Sequence, residues 1–305
     1  MFDLSSYGYA AVIPDVVWVG KNPWRKYGRM LVPLTGPHSL SDVDRGAIRK
    51  AIREHNMLLA CWTSDWDKYD ESEWWWIACD DRDYDLTRLT SAQGKKKIKR
   101  GLKNCEVRQL EIDEFLCFSY PIYKEAQIRY GLRPLGKTEY CELHVQESKY
   151  PGRHYWGAFY QGHPAAYLDF LIIDGMGFIS SGASDFSLKK LNCNSALDYT
   201  VTRHYLNQGL NYVTNGWRPL LHQTNIYDHL KSIGYRKVFC RANIELSNMA
   251  EITYRSLISR WGHHVGLQKI TGKIWNQLMA FDRLVRISET FGVSIQPSRS
   301  NPLVF

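Results

Sequence analysis

The chain has 305 residues, 44% hydrophobic and 23% charged, enough for one large core or two ordinary ones and unlike a disordered or fibrous chain. Lys plus Arg is 39 against 31 for Asp plus Glu, and the resulting +8 favours anionic partners (phosphates, nucleotides, nucleic acid, anionic lipid) without choosing among them. No run of about 18 apolar residues occurs, and the start of the chain has neither a basic region nor a long apolar one, so neither a membrane-spanning helix nor a secretory signal is expected.

Residues 1–40, with Pro14, Pro23, Pro33 and Pro37, read as irregular. A helix follows: Ser41 can cap it, Asp42 and Asp44 suit the positive end of its dipole, and Ile48, Ile52 and His55 recur at helical spacing. Met57 to Ser64 and Trp74 to Cys79 read as strands, joined by an acidic connection. Alternation along the second puts Trp75 opposite Trp74 and Trp76, which predicts core packing plus one exposed ring. Residues 94–104 form a basic helix, with Ile98 and Leu102 on one side and Lys95, Lys96, Lys97, Lys99, Arg100 and Lys103 around the rest. A strand from Glu106 to Leu110 leads to a helix from about Asp113 to Tyr130, broken or kinked at Pro121. Residues 131–150, rich in Gly and Pro, read as loop and as a domain boundary.

Beyond it the pattern sharpens. His154–Tyr160, Pro164–Ile173 and Gly177–Gly182 form an antiparallel meander with turns at Gln161-Gly162 and Asp174-Gly175. A helix over 194–207 buries Leu197, Val201 and Tyr205 and stops at Gly209. Then come a strand over 211–215, a short helix over 225–232 with Ile226, Leu230 and Ile233 on one face, and a strand over 237–241. Two amphipathic helices form the tail, the first capped by Ser247 and the second lined by Ile274, Leu278 and Phe281. No internal repeat is visible. The order β-β-β-α-β-α-β implies an α+β, mixed α/β fold: a mostly antiparallel mixed sheet with helices on its faces.

The seven cysteines are odd in number and contain no C-x-x-C pair; most lie in apolar runs as small hydrophobes, and a reducing cytoplasm fits them. No metal constellation, P-loop or nucleophile-elbow motif is present.

Four segments carry a resemblance: 156–167 around Gln161-Gly162, Asn194-Ser195-Ala196-Leu197, Tyr212-Val213-Thr214-Asn215-Gly216, and His229-Leu230-Lys231-Ser232-Ile233-Gly234-Tyr235. In this order they resemble the GNAT superfamily of acyltransferases, in particular its Fem-like branch and the BioF2-like acetyltransferase domains. The basic segment 97–103 is similar to the Fem-like helix before that domain. The resemblance covers about Leu89 to Leu246. It implies a GNAT-like acyl-CoA N-acyltransferase fold in a two-lobed body: 1–145 a partial GNAT-like half, 146–246 the transferase domain, 247–305 a helical tail. It implies an N-acyltransferase acting on an amine acceptor, such as an amino sugar or peptide in cell-surface polysaccharide or wall synthesis. The loop Ser187–Asn194 lacks the glycines that commonly hold an acyl-CoA pyrophosphate, and Leu230 stands where many relatives place a tyrosine acid. Acetyl-CoA or another acyl-CoA, aminoacyl-tRNA and other carriers all stay open as donor.

Each candidate residue has a plain alternative. Lys97, Arg100 and Lys103 can contact phosphate, or simply form a solvated helix face. Lys189, Lys190 and Asn194 precede or open a helix where an anion can bind, or serve ordinary capping. Asn215 can hold an acyl or peptide-like group and Asp185 can accept a proton from the attacking amine; both also suit turns. Tyr227 can replace the missing acid, or merely pack. His222, His229, His263 and His264 suit structural or surface roles. Two other functions fit the same residues: RNA binding through the basic helix at 95–103, and a non-catalytic GNAT-like scaffold.

Overall fold

The computed structural model describes residues 4–40, 43–218, 226–253, 281 and 283–288. In chain order the elements are α1 (Ser6–Ala10), β1 (Val16–Val19), β2 (Asn22–Tyr27), β3 (Met30–Pro33), α2 (Arg45–Glu54), β4 (Leu59–Ser64), β5 (Trp75–Cys79), α3 (Ala92–Asn104), β6 (Glu106–Leu110), α4 (Ile112–Arg129) and α5 (Lys137–Glu147). They continue with β7 (Arg153–Tyr160), β8 (His163–Ile173), β9 (Met176–Ser184), a 3-10 turn (Phe186–Leu191), α6 (Cys193–Asn207), β10 (Tyr212–Trp217), α7 (Ile226–Ser232), β11 (Arg236–Phe239), β12 (Arg241–Leu246) and α8 (Asn248–Thr253). Among these residues no helix is long and apolar enough to cross a membrane.

The chain divides into two compact units that interleave in sequence. One comprises 1–14, 76–217 and 225–237; the other 15–75, 218–224 and 238–305. These lines differ from boundaries at 145 and 246, because β5 and β12 each join a sheet far from their neighbours in sequence.

The first unit is built on a seven-stranded sheet ordered β11-β5-β10-β9-β8-β7-β6. The meander β7-β8-β9 is antiparallel, while β9 and β10 run parallel, as a crossover through α6 requires. Alternation sends Trp156 and Phe170 to the α6 face, where Phe170 stacks on Tyr205 with ring centroids 4.2 Å apart. Tyr155 and Tyr167 face the other way, onto Phe115 of α4. Pro121 lies inside α4 without ending it, on its exposed side.

The second unit holds a five-stranded sheet ordered β1-β2-β3-β4-β12. Here too an antiparallel meander, β1-β2-β3, passes through a helix, α2, to a parallel partner, β4. The added antiparallel neighbour of β4 is β12, as β5 is that of β10. The two sheets thus share one motif: three-strand meander, crossover helix, parallel strand, and an antiparallel strand from elsewhere in the chain.

Several sequence expectations are corrected. The segment read as irregular before residue 40 contains α1 and the β1-β2-β3 meander, turned at Gly20 (φ +60) and Gly28 (φ +59), where a left-handed conformation favours glycine. The segment read as loop between 131 and 150 contains α5. The strand read as ending at Arg241 is two strands, β11 and β12. Cys105 and Cys193 form a disulfide across α3 and α6, with Cα atoms 5.8 Å apart, so those two are not isolated small hydrophobes and sit against the expectation of a reducing compartment. Cys61, Cys79 and Cys240 are buried, as expected. Asp44 caps α2, and Ser247 accepts the Ala250 N–H at the start of α8. Trp74 and Trp76 are buried and Trp75 is half-buried. Ser41, Asp42, His222, His263, His264, Ile274 and Leu278 lie outside the described residues.

Candidate functional site

Parallel strands β9 and β10 stay together for only three pairs, Tyr212 with Met176, Val213 with Gly177 and Thr214 with Phe178. Past that point β9 continues along β8 to Ala166–Ser184, and β10 shifts register against β5. Among the described residues the β10-facing edge of β9 beyond Phe178 therefore has no ladder partner, an edge whose backbone groups can meet a ligand. Asn215 sits just past the separation, half-buried, and Gly216 follows at φ +96 with its N–H bonded to Thr214 Oγ1.

The chain leaving β9 turns at Asp185, whose Oδ1 accepts from the Ser187 N–H (2.8 Å) and hydroxyl (2.6 Å). Asp185 is thus a turn cap, with Oδ2 making no hydrogen bond among the described residues. Lys189 and Lys190 are exposed, Lys189 lying 5.4 Å from the Phe186 ring centroid. Asn192 then adopts a left-handed conformation (φ 61), which Asn tolerates, and α6 starts at Cys193 with no side-chain cap. Of the residues that open it, Asn194 is exposed while Cys193 and Ser195 are buried, and helix N–H groups of this kind have no partner within the helix itself.

The basic helix is fastened to this loop. Ser91 caps α3 through the Gly94 N–H. A Cβ on Gly94 would sit 1.8 Å from Ser232 O, and one on Gly101 2.4 Å from Asn192 O, so glycine allows α3 to lie against α7 and the start of α6. Asn104 donates to Leu191 O (3.3 Å), and the Cys105–Cys193 bond closes the contact. Lys97, Arg100 and Lys103 have no hydrogen-bond or ion-pair partner among the described residues. Sequence candidates 90 residues apart are thereby brought together. A groove of about 500 Å³ between α3 and α6 is lined by Lys95, Lys99, Tyr199, Arg203 and Asp85 and by none of these candidates; Asp85 partly neutralises it by pairing with Arg203 at 3.4 Å.

Tyr227 on α7 is half-buried beneath the Lys237 ammonium, 5.2 Å from the ring centroid; burial and then Asp228 raise its pKa, keeping it protonated. Leu230 is fully packed. His229 pairs with Asp198 at 2.8 Å.

Sequence reading missed a buried ionic cluster on the α4–α5 face. Arg153 of β7 donates to Asp169 of β8 (2.6 Å), to Glu147 of α5, and to Ser180 at the β8–β9 bulge (2.7 Å). His144 Nδ1 lies 3.9 Å from Asp169. Among the described residues Asp169 Oδ1, His144 Nδ1 and Arg153 Nε have no hydrogen-bond partner. Burial drives the Asp169 pKa up to about 7 against the pull of Arg153, with Glu147 adding to the rise. Burial, then Arg153, push His144 down to about 3. Ligand atoms of His144, Glu147 and Asp169 lie within 4.8 Å of one another, a metal-like grouping in which the guanidinium already supplies the cation. One signal was available: Asp169 is the sole charged residue inside the apolar run of β8.

No protein-family model and no curated protein matches the chain. Solved structures do. The C-terminal domain of a putative lysylphosphatidylglycerol synthetase from Agrobacterium fabrum is similar over 83% of this chain and 91% of its own, at 10% identity and TM-score 0.55. FemX is similar over 83% and 93%, at 8% identity and TM-score 0.53. A tandem GNAT protein from the clavulanic acid biosynthesis pathway is similar over 74% and 78%, at 10% identity and TM-score 0.44. The fold is therefore the one shared by FemX and that synthetase domain.

Proposed function

We propose that the chain is an N-acyltransferase that moves an acyl or aminoacyl group from an anionic carrier to an amine. The observation that carries this reading is the opening between β9 and β10, followed at once by a helix N-terminus that no side chain caps. The carrier's phosphates would lie at the start of α6 with Lys189 and Lys190, and a longer carrier would extend along Lys97, Arg100 and Lys103 of α3. Asn215 and free N–H groups of β9 would hold the acyl carbonyl and its oxyanion. The neutral amine attacks the carbonyl carbon, Asp185 Oδ2 takes the proton lost from nitrogen, and the carrier's oxygen or sulfur leaves with the acyl C–O or C–S bond electrons, protonated by Tyr227.

Two donor types remain from the sequence resemblance to GNAT and Fem-like enzymes: acyl-CoA and aminoacyl-tRNA. The acceptor we propose is an amino sugar or peptide amine of the cell envelope. The unpaired cations of α3 favour a second reading, plain RNA binding; a non-catalytic scaffold is the third.

The test is thermal denaturation with acetyl-CoA, longer acyl-CoAs and bulk aminoacyl-tRNA, followed by transfer of labelled acyl group to model amines. Binding to the folded state raises the midpoint. A midpoint raised by one donor, lost in Lys189→Gln/Lys190→Gln, together with transfer lost in Asn215→Ala, supports the transferase. A tRNA effect without transfer, lost in Lys97→Gln/Arg100→Gln/Lys103→Gln, establishes RNA binding instead. No effect from any donor leaves a scaffold.

A further inference from the structure

The segment that joins α4 to α5 is held in place, yet it displays large apolar side chains to water. The end of α4 closes with Gly131 at φ +69, the Gly131 N–H donating to Ile128 O and the Leu132 N–H to Gln127 O, both at 2.9 Å. Tyr123 OH accepts the Leu135 N–H and Tyr120 OH donates to Leu135 O, both at 3.1 Å. On this fixed frame Ile128, Tyr130 and Leu132 are 59%, 68% and 43% exposed. Phe186, from the turn after β9, is 48% exposed and adjoins them through Arg129, whose guanidinium carbon lies 3.5 Å from the Phe186 ring centroid.

Exposure here is not the by-product of a loose loop, so the patch has a persistent cost in water that a partner would remove. Its charge says which partner. Between 124 and 138 the chain carries Lys124, Arg129, Arg133 and Lys137 against one acid, Glu125, which Arg129 already pairs. Lys189 and Lys190 follow Phe186. Aliphatic and aromatic side chains projecting from a cationic rim are the composition that settles into a headgroup layer, with Tyr at the interface and Lys or Arg on anionic lipid. α3 offers the contrast: its exposed side is cationic with only Leu102 among large apolar residues, which suits phosphates without a hydrocarbon layer.

We propose that the rim formed by Ile128, Tyr130, Leu132 and Phe186, with its surrounding cations, docks on an anionic lipid bilayer surface. Docking of this kind needs no acyl chemistry and stands apart from the transfer reading.

Co-sedimentation with vesicles of phosphatidylcholine alone, or mixed with phosphatidylglycerol, tests it. The protein should pellet with the mixed vesicles and not with phosphatidylcholine alone, and salt should weaken the binding. Ile128→Ser/Tyr130→Ser/Leu132→Ser should weaken it by about tenfold or more, since the apolar anchors are gone. Arg133→Gln should weaken it less, and Lys96→Gln/Lys99→Gln/Lys103→Gln on α3 should leave most of it. Circular dichroism and the thermal midpoint confirm that each variant folds, and Tyr130→Ser alone replaces the triple variant if that one does not. The proposal is overturned if mixed vesicles bring down no protein, or if the α3 variant loses binding while the loop variants keep it. It is also overturned if the loop variants abolish self-association, seen in sedimentation velocity, in a protein that ignores vesicles.

Discussion

The two sheets repeat one motif and treat its crossover helix in opposite ways. In the five-stranded unit α2 follows the meander and opens with Asp44, whose carboxylate accepts the Gly46 N–H at 2.8 Å. The positive end of that helix already has its anion. In the seven-stranded unit α6 occupies the same place, and left-handed Asn192 gives it no side-chain cap. The units also differ in how they bury charge. Glu245 of β12 meets two half-exposed arginines, Arg45 (3.3 Å) and Arg49 (2.6 Å), so water shares the interaction. Arg153, Asp169 and Glu147 are sealed under α4 and α5, with donor and acceptor atoms left over. Leftover buried polar atoms occur in both units among the described residues, Trp24 Nε1 and Thr35 Oγ1 in the five-stranded one and Asp169 Oδ1 and His144 Nδ1 in the other, so what separates the two is how deeply the arginines of their ion pairs are buried.

Removing an arginine from each unit gives the largest contrast. Arg153→Ala leaves two buried carboxylates without their cation and should cost about 3–5 kcal/mol in urea denaturation. Arg49→Ala leaves Glu245 still paired with the half-exposed Arg45, and should cost about 1 kcal/mol or less. Equal losses would mean that the sealed cluster is not as dry as its burial implies.

The pH dependence sharpens the same point. Asp169 holds its proton to about pH 7 when folded and to 3.8 when unfolded. Between those values the folded state binds more protons, so stability from this group is lost as pH rises. His144 stays neutral down to about pH 3 when folded but charges below 6.5 when unfolded. Its contribution is lost as pH falls across that window. The two trends oppose each other from about pH 4 to 6.5, amid Arg153 and Tyr155 of β7, Tyr167 of β8, Ser180 of β9, Glu147 and Tyr140 of α5, and Tyr9 of α1. His144→Gln should expose the Asp169 trend, with stability rising on acidification from pH 7 to 4 by up to about 1.4 kcal/mol per unit. Asp169→Asn should expose the reverse. Urea midpoints that run parallel for wild type and both variants would rule the pair out as the titrating groups.

How much of this was legible in the sequence follows from which forces leave a periodic trace. The meander β7-β8-β9 and the helix α6 were readable because Trp156, Phe170 and Tyr205 bury one face and their turns carry glycine. α5 was not, because the residues it buries are Tyr140, His144 and Glu147, which make no apolar stripe. The first meander was hidden by Pro23 and Pro33, which occupy the start of β2 and the end of β3, where a missing donor is tolerated. β12 escaped because only Cys240 separates it from β11, with neither Gly nor Pro to mark the change of sheet. The motif shared by the two units has no sequence counterpart at all; it is a likeness of topology. At the site, the cations at 97–103 and 189–190 could be named singly, but not the two glycines that let α3 rest on the start of α6.

The smallest predicted effect isolates the helix ends. Asp44→Ala should cost about 1 kcal/mol, the usual worth of a lost cap, and should leave donor binding alone. Asn192→Asp places a carboxylate at the mouth of α6, on a backbone conformation that Asp also tolerates. It should hold or slightly raise the thermal midpoint, since the new charge complements the dipole. The same charge should weaken the binding of any anionic donor several-fold, most clearly at low salt, because both compete for the N–H groups of Cys193, Asn194 and Ser195. Exchanging the two helix ends in this way asks whether stability and binding trade against each other at one place in the fold. A donor that binds Asn192→Asp as tightly as wild type would move the anion site away from α6 and onto the cations of α3.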